Sequence, residues 1–291
     1  MKPSTMFMSV AAATLFGSAA AVANPGATQI LYKTGFEAPE FVAGQPLVGQ
    51  EGWIAPPPLS PDAAVISTEK PRQGRQSVLV SGNDLLHQDF INEATGGYYD
   101  AIGSYRRPVC PDGTQPGCTT VGDFTGYDAK GKVVRVSAHV RVDGRHTPGT
   151  NFFSASVGAI ALGANKDDND NPVAEGVGEL AISSDGHVYG YTGADLVPIF
   201  RKKDRVTLGE WHTLAVEADF AERKTRFFVD DEYIGWIRFD DQVTTNLLLR
   251  GSMLVYAAPD SAIAERKLYK KADYSAHFDQ FAIKIEKSHG R

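Results

Sequence analysis

The sequence predicts an all-β fold, an antiparallel two-sheet sandwich. Three observations predict it: period-two hydrophobic alternation along most of the chain, turn residues between the alternating runs, and almost no helical spacing. The clearest strand is Lys132–Val142. It puts Val134, Val136, Ala138, Val140 and Val142 on one side and Arg135, Ser137, His139 and Arg141 on the other, as a strand buried on one face requires. Similar runs occupy Ser77–Val80, Phe152–Leu162, Gly178–Ile182, His187–Tyr191, His212–Phe220, Thr225–Val229, Leu247–Tyr256 and Ser275–Ile285. Between them stand Pro71-Arg72-Gln73-Gly74, Asp143-Gly144, Ser184-Asp185-Gly186 and Leu208-Gly209-Glu210, residues that favour tight turns. Asp230-Asp231 is placed as a hairpin turn that lacks glycine. At most one short turn or helix fits Asp260–Lys271.

Residues 1–23 have the pattern of a secretory signal peptide. Lys2 precedes an apolar stretch, and Ala21-Val22-Ala23 supplies small residues at the cleavage site. Residues 24–291 are then expected to form one domain, secreted or periplasmic. No later stretch approaches the roughly 18 apolar residues of a spanning helix, so no integral membrane segment is expected. With net charge −6, nucleic acid is not an expected partner. A content of 42% hydrophobic and 22% charged residues is enough for a large core and excludes a disordered chain.

Two segments break the strand rhythm, residues 92–131 and 163–177, and each is expected to be a loop carrying function. In the first, Cys110 and Cys118 enclose a Pro- and Gly-rich turn. An exported chain meets an oxidising compartment, which favours a disulfide. The alternative is metal binding, for which two Cys without nearby His are half a site. In the second, Asp167, Asp168, Asn169, Asp170 and Asn171 lack the spacing and central glycine of a calcium loop and read as a solvated turn.

Three stretches carry a resemblance. They are Gly35-Phe36-Glu37 with Gly44–Trp53 and Gln73–Val78; Gly209–Leu214 with Phe228–Asp231 and Gly235; and Phe278-Asp279-Gln280-Phe281-Ala282-Ile283. From about residue 30 to 286 the chain resembles exported bacterial proteins of the concanavalin A-like lectin/glucanase superfamily, with laminin G-like jelly rolls. The resemblance implies a jelly-roll sandwich whose last strand pairs beside the first. It also implies a carbohydrate-interacting function. That superfamily holds lectins, glucanases and polysaccharide lyases, so fold alone selects no activity. A non-catalytic glycan-binding domain is the first expectation and a polysaccharide-degrading enzyme, lyase before hydrolase, the second. A structural or adhesive envelope protein is the third.

Candidate site residues follow. Glu217, Asp219 and Glu222 resemble the acidic strand motif of laminarinase-type hydrolases, whose retaining chemistry needs carboxyls about 5–5.5 Å apart. They lie beside Trp211-His212, however, where that family has a framework hairpin, and a solvated strand face ending in a turn is the preferred reading of them. A lyase needs a Tyr or His base and a group that neutralises a carboxylate. His139, Arg135, Arg141 and Tyr256 qualify by type, and His139 also reads as a half-exposed strand residue. Tyr98, Tyr99, Tyr105, Arg106 and Arg107 are the expected ligand-binding residues, because sugar rings stack on aromatics while guanidinium groups hold acid groups. The same tyrosines also suit packing within their own loop. Trp53 and Trp236 are placed either in the core or in a ligand surface. No cofactor is expected beyond a structural calcium ion at Glu37 and Asp279, near the first and last strands.

Overall fold

The computed structural model describes residues 28–54, 64–81, 91–92, 97–98, 100–106, 117–144, 152–166, 170, 172–192, 200–201, 205–258 and 275–287. The expected signal peptide, Cys110 and Asp260–Lys271 lie outside the described residues.

In chain order the strands are β1 (Gln29–Thr34), β2 (Trp53–Ile54), β3 (Ala64–Ser67), β4 (Ser77–Ser81), β5 (Ile91–Asn92), β6 (Gly97–Tyr98), β7 (Asp100–Arg106), β8 (Cys118–Val121), β9 (Phe124–Asp128) and β10 (Lys132–Asp143). They continue with β11 (Phe152–Lys166), β12 (Pro172–Ser183), β13 (Val188–Tyr191), β14 (Phe200–Arg201), β15 (His212–Asp219), β16 (Lys224–Val229), β17 (Glu232–Arg238), β18 (Val243–Ala258) and β19 (Ser275–Lys287). Every pairing among them is antiparallel; β5 and β6 pair with each other in a small sheet of their own, and the other seventeen strands form two layers. An eight-stranded sheet runs β17-β16-β15-β10-β19-β4-β3 with β1 beside β19. A nine-stranded sheet runs β14-β13-β12-β11-β18-β7-β2 with β8 and β9 attached through β18. This is an antiparallel jelly-roll sandwich. Among the described residues no helix is long and apolar enough to cross a membrane.

The core lies between the sheets. The alternate residues of β10, from Val134 to Val142, are all buried there, opposite Ala155, Val157, Ala159 and Ala161 of β11. Each fully buried valine contributes about 1.5–3 kcal/mol, so this strand alone explains why alternation survives so clearly in the sequence. Trp53 is core, packed edge-on against Phe281 at 5.0 Å between ring centres, while Trp236 is exposed.

Strand β19 closes the eight-stranded sheet as the Phe-Asp-x-Phe resemblance implies. One edge of β19 is shared, with β4 pairing along Ser275–Phe278 and β1 along Phe281–Ile285. At the junction Gln280 adopts φ 51° and the register with β10 slips between Ser137 and His139. That bulge brings Asp279 under the loop leading into β4. Its Oδ2 accepts the Arg72 and Gln73 amides, each at 3.0 Å, and its Oδ1 accepts that of Gln280. From the other side, Glu37 Oε1 accepts the amides of Arg75 (2.9 Å) and Gln76 (3.2 Å). A Cβ at Gly74 would stand 2.0 Å from the same Glu37 oxygen, and Gly74 has φ +74°, so glycine is required there. The Gly-Phe-Glu and Gln-Gly-Arg-Gln motifs are therefore two halves of one clamp.

Two expectations about the loops are corrected. Residues 92–131 are not one structureless insertion. Strand β7 is an integral member of the nine-stranded sheet between β18 and β2, and β8 and β9 extend it. Its Gly- and Tyr-rich composition hides strands whose apolar partners lie far away in sequence. Residues 163–177 likewise belong mostly to the ends of β11 and β12, where Ala164, Asn165 and Lys166 are exposed and free to be polar. The hairpin Asp230-Asp231 has φ 51° and 63°, the type I′ geometry that matches strand twist. Asp230 does not bond the amides of its own turn. Its Oδ1 accepts the Thr213 amide (2.8 Å) and its Oδ2 meets His212 Nδ1 (2.8 Å), which fastens the hairpin to the start of β15.

His277 is 1% exposed and its Nδ1 has no hydrogen-bond partner among the described residues. Burial, reinforced by Lys70 and Arg141 and opposed by Asp143, lowers its pKa from 6.5 to about 4. Burial and then Arg72 lower that of His139 to about 4 as well. The unfolded chain takes up these protons near pH 6.5 and the folded chain only near pH 4. Stability is therefore full above about pH 6.5 and is lost progressively as pH falls towards 4. Asp279, whose pKa burial raises, acts in the opposite sense. Thermal melting of His277→Asn across this range is expected to lose part of the wild-type slope. An unchanged slope would contradict the assignment.

Candidate functional site

The acidic motif of β15 is occupied by structural work. Glu217 is in register with Arg135 and Arg226, and its Oε1 accepts from Arg135 Nη1 at 2.7 Å. Asp219 is buried, and its Oδ1 accepts the Ala221 and Glu222 amides, both at 3.0 Å, so it builds the β15–β16 turn. Glu222 pairs with Arg226 Nη2 at 3.0 Å. These carboxylates lie on the eight-stranded sheet and face arginines and amides. His139 is on the same outward side, in register with Thr213 and Asp279, and is neutral at neutral pH.

Of the expected ligand-binding segment, Tyr98 lies in β6, and Tyr105 and Arg106 lie in β7. Tyr99 and Arg107 lie outside the described residues. Tyr105 holds the register position opposite Ser252 of β18 and Ile54 of β2. Arg106 stands opposite Gly251 and Trp53. Cys118 opens β8, and its expected partner Cys110 lies outside the described residues. Glu37 and Asp279 are brought together around one loop, as acceptors of its amides.

The nine-stranded sheet gathers a different set on the face turned away from the core. Strand β11 sends Ala155, Val157 and Ala159 into the core, so Ser154, Ser156 and Gly158 lie on the other side. Across that side one row of register partners runs from Tyr105 through Ser252, Gly158 and Glu179 to Tyr191. A Cβ added at Gly158 would stand 2.9 Å from Ser252 Oγ and 3.3 Å from Glu179 Cβ. The two side chains therefore converge over the glycine. Arg250 pairs with Ile160 one row away. Ser252 is 1% exposed, and its hydroxyl has no hydrogen-bond partner among the described residues. An unmet buried hydroxyl costs about 1–3 kcal/mol, which makes this one a candidate for a bound ligand.

Beside this row, β13 supplies an aromatic ladder. His187, Tyr189 and Tyr191 alternate with Val188 and Gly190, and their ring centres are 6.1 and 6.3 Å apart in succession. Gly190 faces the core, where a Cβ would collide with the Phe227 ring at 2.5 Å. Burial first, then the charge of Glu179, holds the Tyr191 hydroxyl well above the ordinary tyrosine range, so it remains protonated and donates. At the end of the ladder Asp185 accepts from Ser183 Oγ and from the His187 amide (3.0 Å), and meets His187 Nδ1 at 2.7 Å. Arg205 Nε donates to His187 Nε2 at 3.3 Å. Ser183 bonds the aspartate rather than the imidazole, so the trio stiffens the β12–β13 turn and forms no nucleophilic triad.

Tyr189, Tyr191, Glu179, Arg250 and Ser252 escaped the sequence reading. The available signal was period two: His187, Tyr189 and Tyr191 are the polar-tipped half of a strand whose other half is Val188 and Gly190.

No protein-family model matches the chain, and no curated protein matches it. It is similar to the solved structure of the laminarinase from Rhodothermus marinus, with TM-score 0.47 and 10% identity, over 90% of this chain and 98% of that one. It is also similar to the endo-β-1,4-glucuronan lyase from the fungus Trichoderma reesei, with TM-score 0.46 and 10% identity, over 88% and 95%. A third similar structure is the conserved carbohydrate esterase from the Shiga toxin-encoding bacteriophage phi24B, with TM-score 0.46 and 14% identity, over 89% and 100%.

Proposed function

We propose that the mature protein is an exported polysaccharide-binding sandwich of concanavalin A-like type, with the glycan lying along the outward face of the nine-stranded sheet. One observation carries the reading: Ser252, Glu179 and Tyr191 converge in a single row beside an aromatic ladder. Stacking surface flanked by a few directed polar groups is what a sugar chain needs. Tyr191 donates to a sugar oxygen, Glu179 accepts from hydroxyls, and Tyr189 offers ring area. The Ser252 hydroxyl meets the glycan when neighbouring side chains part. In this proposal the expected ligand-binding segment meets the same face through Tyr105, opposite Ser252 on β7, while Arg106, opposite Gly251 and the core residue Trp53, lies on the other side of that strand. A Cys110–Cys118 disulfide braces that segment, in keeping with export through an oxidising compartment.

A second reading, cleavage of the bound chain by β-elimination, is favoured by the register that sets Glu179 beside Tyr191, with Arg250 one row away to offset the uronate carboxylate. A base removes the proton beside a uronate carboxyl, and an acid protonates the departing glycosidic oxygen. The row supplies one group of each kind.

Affinity electrophoresis of the mature chain in gels containing soluble polysaccharides separates these readings. At least one polysaccharide is expected to retard the wild type. Tyr191→Phe and Glu179→Gln are each expected to weaken retention about tenfold, the effect of roughly 1.4 kcal/mol, at an unchanged melting point. Product with unsaturated uronate ends, lost in Tyr191→Phe, would establish the second reading. No retardation and no product, with capture of an envelope protein, would contradict both in favour of a structural role.

The proposal extends to a structural calcium ion at Glu37 and Asp279, which would compete with the loop amides for their oxygens. Melting with and without EDTA tests it. A lowered midpoint in EDTA supports the ion, and an unchanged midpoint removes it.

A further inference from the structure

The opposite face of the molecule carries a second aromatic surface. On β17, the edge strand of the eight-stranded sheet, Tyr233 is 51% and Trp236 47% exposed. Two open aromatic rings on one strand offer faces on which a ligand can stack. Tyr233 packs edge-on against Phe228 of β16, with ring centres 5.8 Å apart, and Arg135 lies 4.9 Å from the Phe228 ring centre on the far side. Lys224 Nζ stands 5.1 Å from the centre of the Trp236 ring. Register places the two exposed rings in neighbouring rows: Trp236 opposite Arg226 and Glu217, Tyr233 opposite Phe228 and Ala215. A bulge between Phe227 and Phe228, opposite Gly235, separates those rows and discourages another strand from adding to this edge.

The charges around the rings decide what fits. Arg135 is paired with Glu217 at 2.7 Å and with Asp231 at 3.2 Å. Arg226 is paired with Asp219 at 3.3 Å and with Glu222 at 3.0 Å, and Lys224 with Glu222 at 3.5 Å. Arg238, exposed beside Trp236 and opposite Lys224, brings the cations to four against the four carboxylates Glu217, Asp219, Glu222 and Asp231, so a polyanion meets no net positive charge here. A neutral chain of hydroxyls finds alternating donors and acceptors within reach of two stacking rings, the arrangement that sugar hydroxyls satisfy in both directions.

We propose that Trp236 and Tyr233, with the paired charges of β15–β17 around them, form a separate binding surface for a neutral polysaccharide, on the opposite sheet from the row of Glu179 and Tyr191. The two surfaces share no residue. The protein would grip a polymer at two places, which raises its avidity without tightening either contact.

Affinity electrophoresis of the mature chain tests this, with soluble neutral β-glucan and galactomannan in separate gels and a polyuronate as the anionic comparison. Both rings are exposed, so the double variant Trp236→Ala/Tyr233→Ala is expected to fold with an unchanged melting point. It should lose about tenfold in retention on a neutral polysaccharide that retards the wild type. Tyr191→Phe should keep the part of that retention that belongs to β17, so failure of one surface is distinguishable from failure of the other. Equal retention of wild type and double variant would overturn the proposal, as would retardation by the polyuronate alone or by no neutral polysaccharide. Light scattering supplies the last arm. A wild-type dimer that becomes monomeric in the double variant would assign the rings to self-association and overturn it too.

Discussion

The register of β11 between β12 and β18 is the constraint on which the rest of the structure depends. Strand β11 sits in the middle of the nine-stranded sheet, and its two sides do different work: Ala155, Val157 and Ala159 fill the core, while Ser154, Ser156 and Gly158 form a floor of small residues outside it. A slip of one residue would turn the serines into the core and the valine outward, so burial pins the pairing. Gly158 tightens this further, because any side chain there would displace Ser252 and Glu179. The same register that closes the sandwich therefore sets Ser252, Glu179 and Tyr191 in one line.

The two sheets differ in how their polar groups are used. On the eight-stranded sheet the carboxylates look inward to the scaffold. Asp279 and Glu37 hold the loop into β4, Asp219 holds the β15–β16 turn, Asp230 ties the next hairpin to β15, and Glu217 meets Arg135. Such groups are costly to remove. On the nine-stranded sheet the pattern reverses. A buried hydroxyl stands without a partner among the described residues, and a protonated tyrosine stands beside a glutamate. Among the described residues each sheet leaves some buried polar atoms without a partner, His139 and His277 on one side and Ser252 on the other, but Ser252 is the one set in line with Glu179 and Tyr191.

Much of this architecture was legible in the sequence where one face of a strand is fully apolar. Strand β10 is the clearest case, and the closing of β19 beside β1 followed from the Phe-Asp-x-Phe resemblance. The candidate site was not legible, for a physical reason. Alternation identifies two sides of a strand without saying which polar side meets which neighbour, and Tyr191, Glu179 and Ser252 come from strands far apart in the chain. Acidic residues close in sequence, Glu217 to Glu222, drew attention instead, and their closeness serves a turn. Strand β7 was hidden for a related reason: its partners, β18 and β2, lie on either side of it at long range.

The most direct test of the central claim is Ser252→Ala, measured for stability and for polysaccharide retention on the same preparation. If the hydroxyl is held unpaired for a ligand, its removal leaves the melting point unchanged or raises it, since an unmet buried group costs about 1–3 kcal/mol, and it weakens retention severalfold. A lower melting point with retention unchanged would show the hydroxyl to be part of the scaffold and would contradict the account.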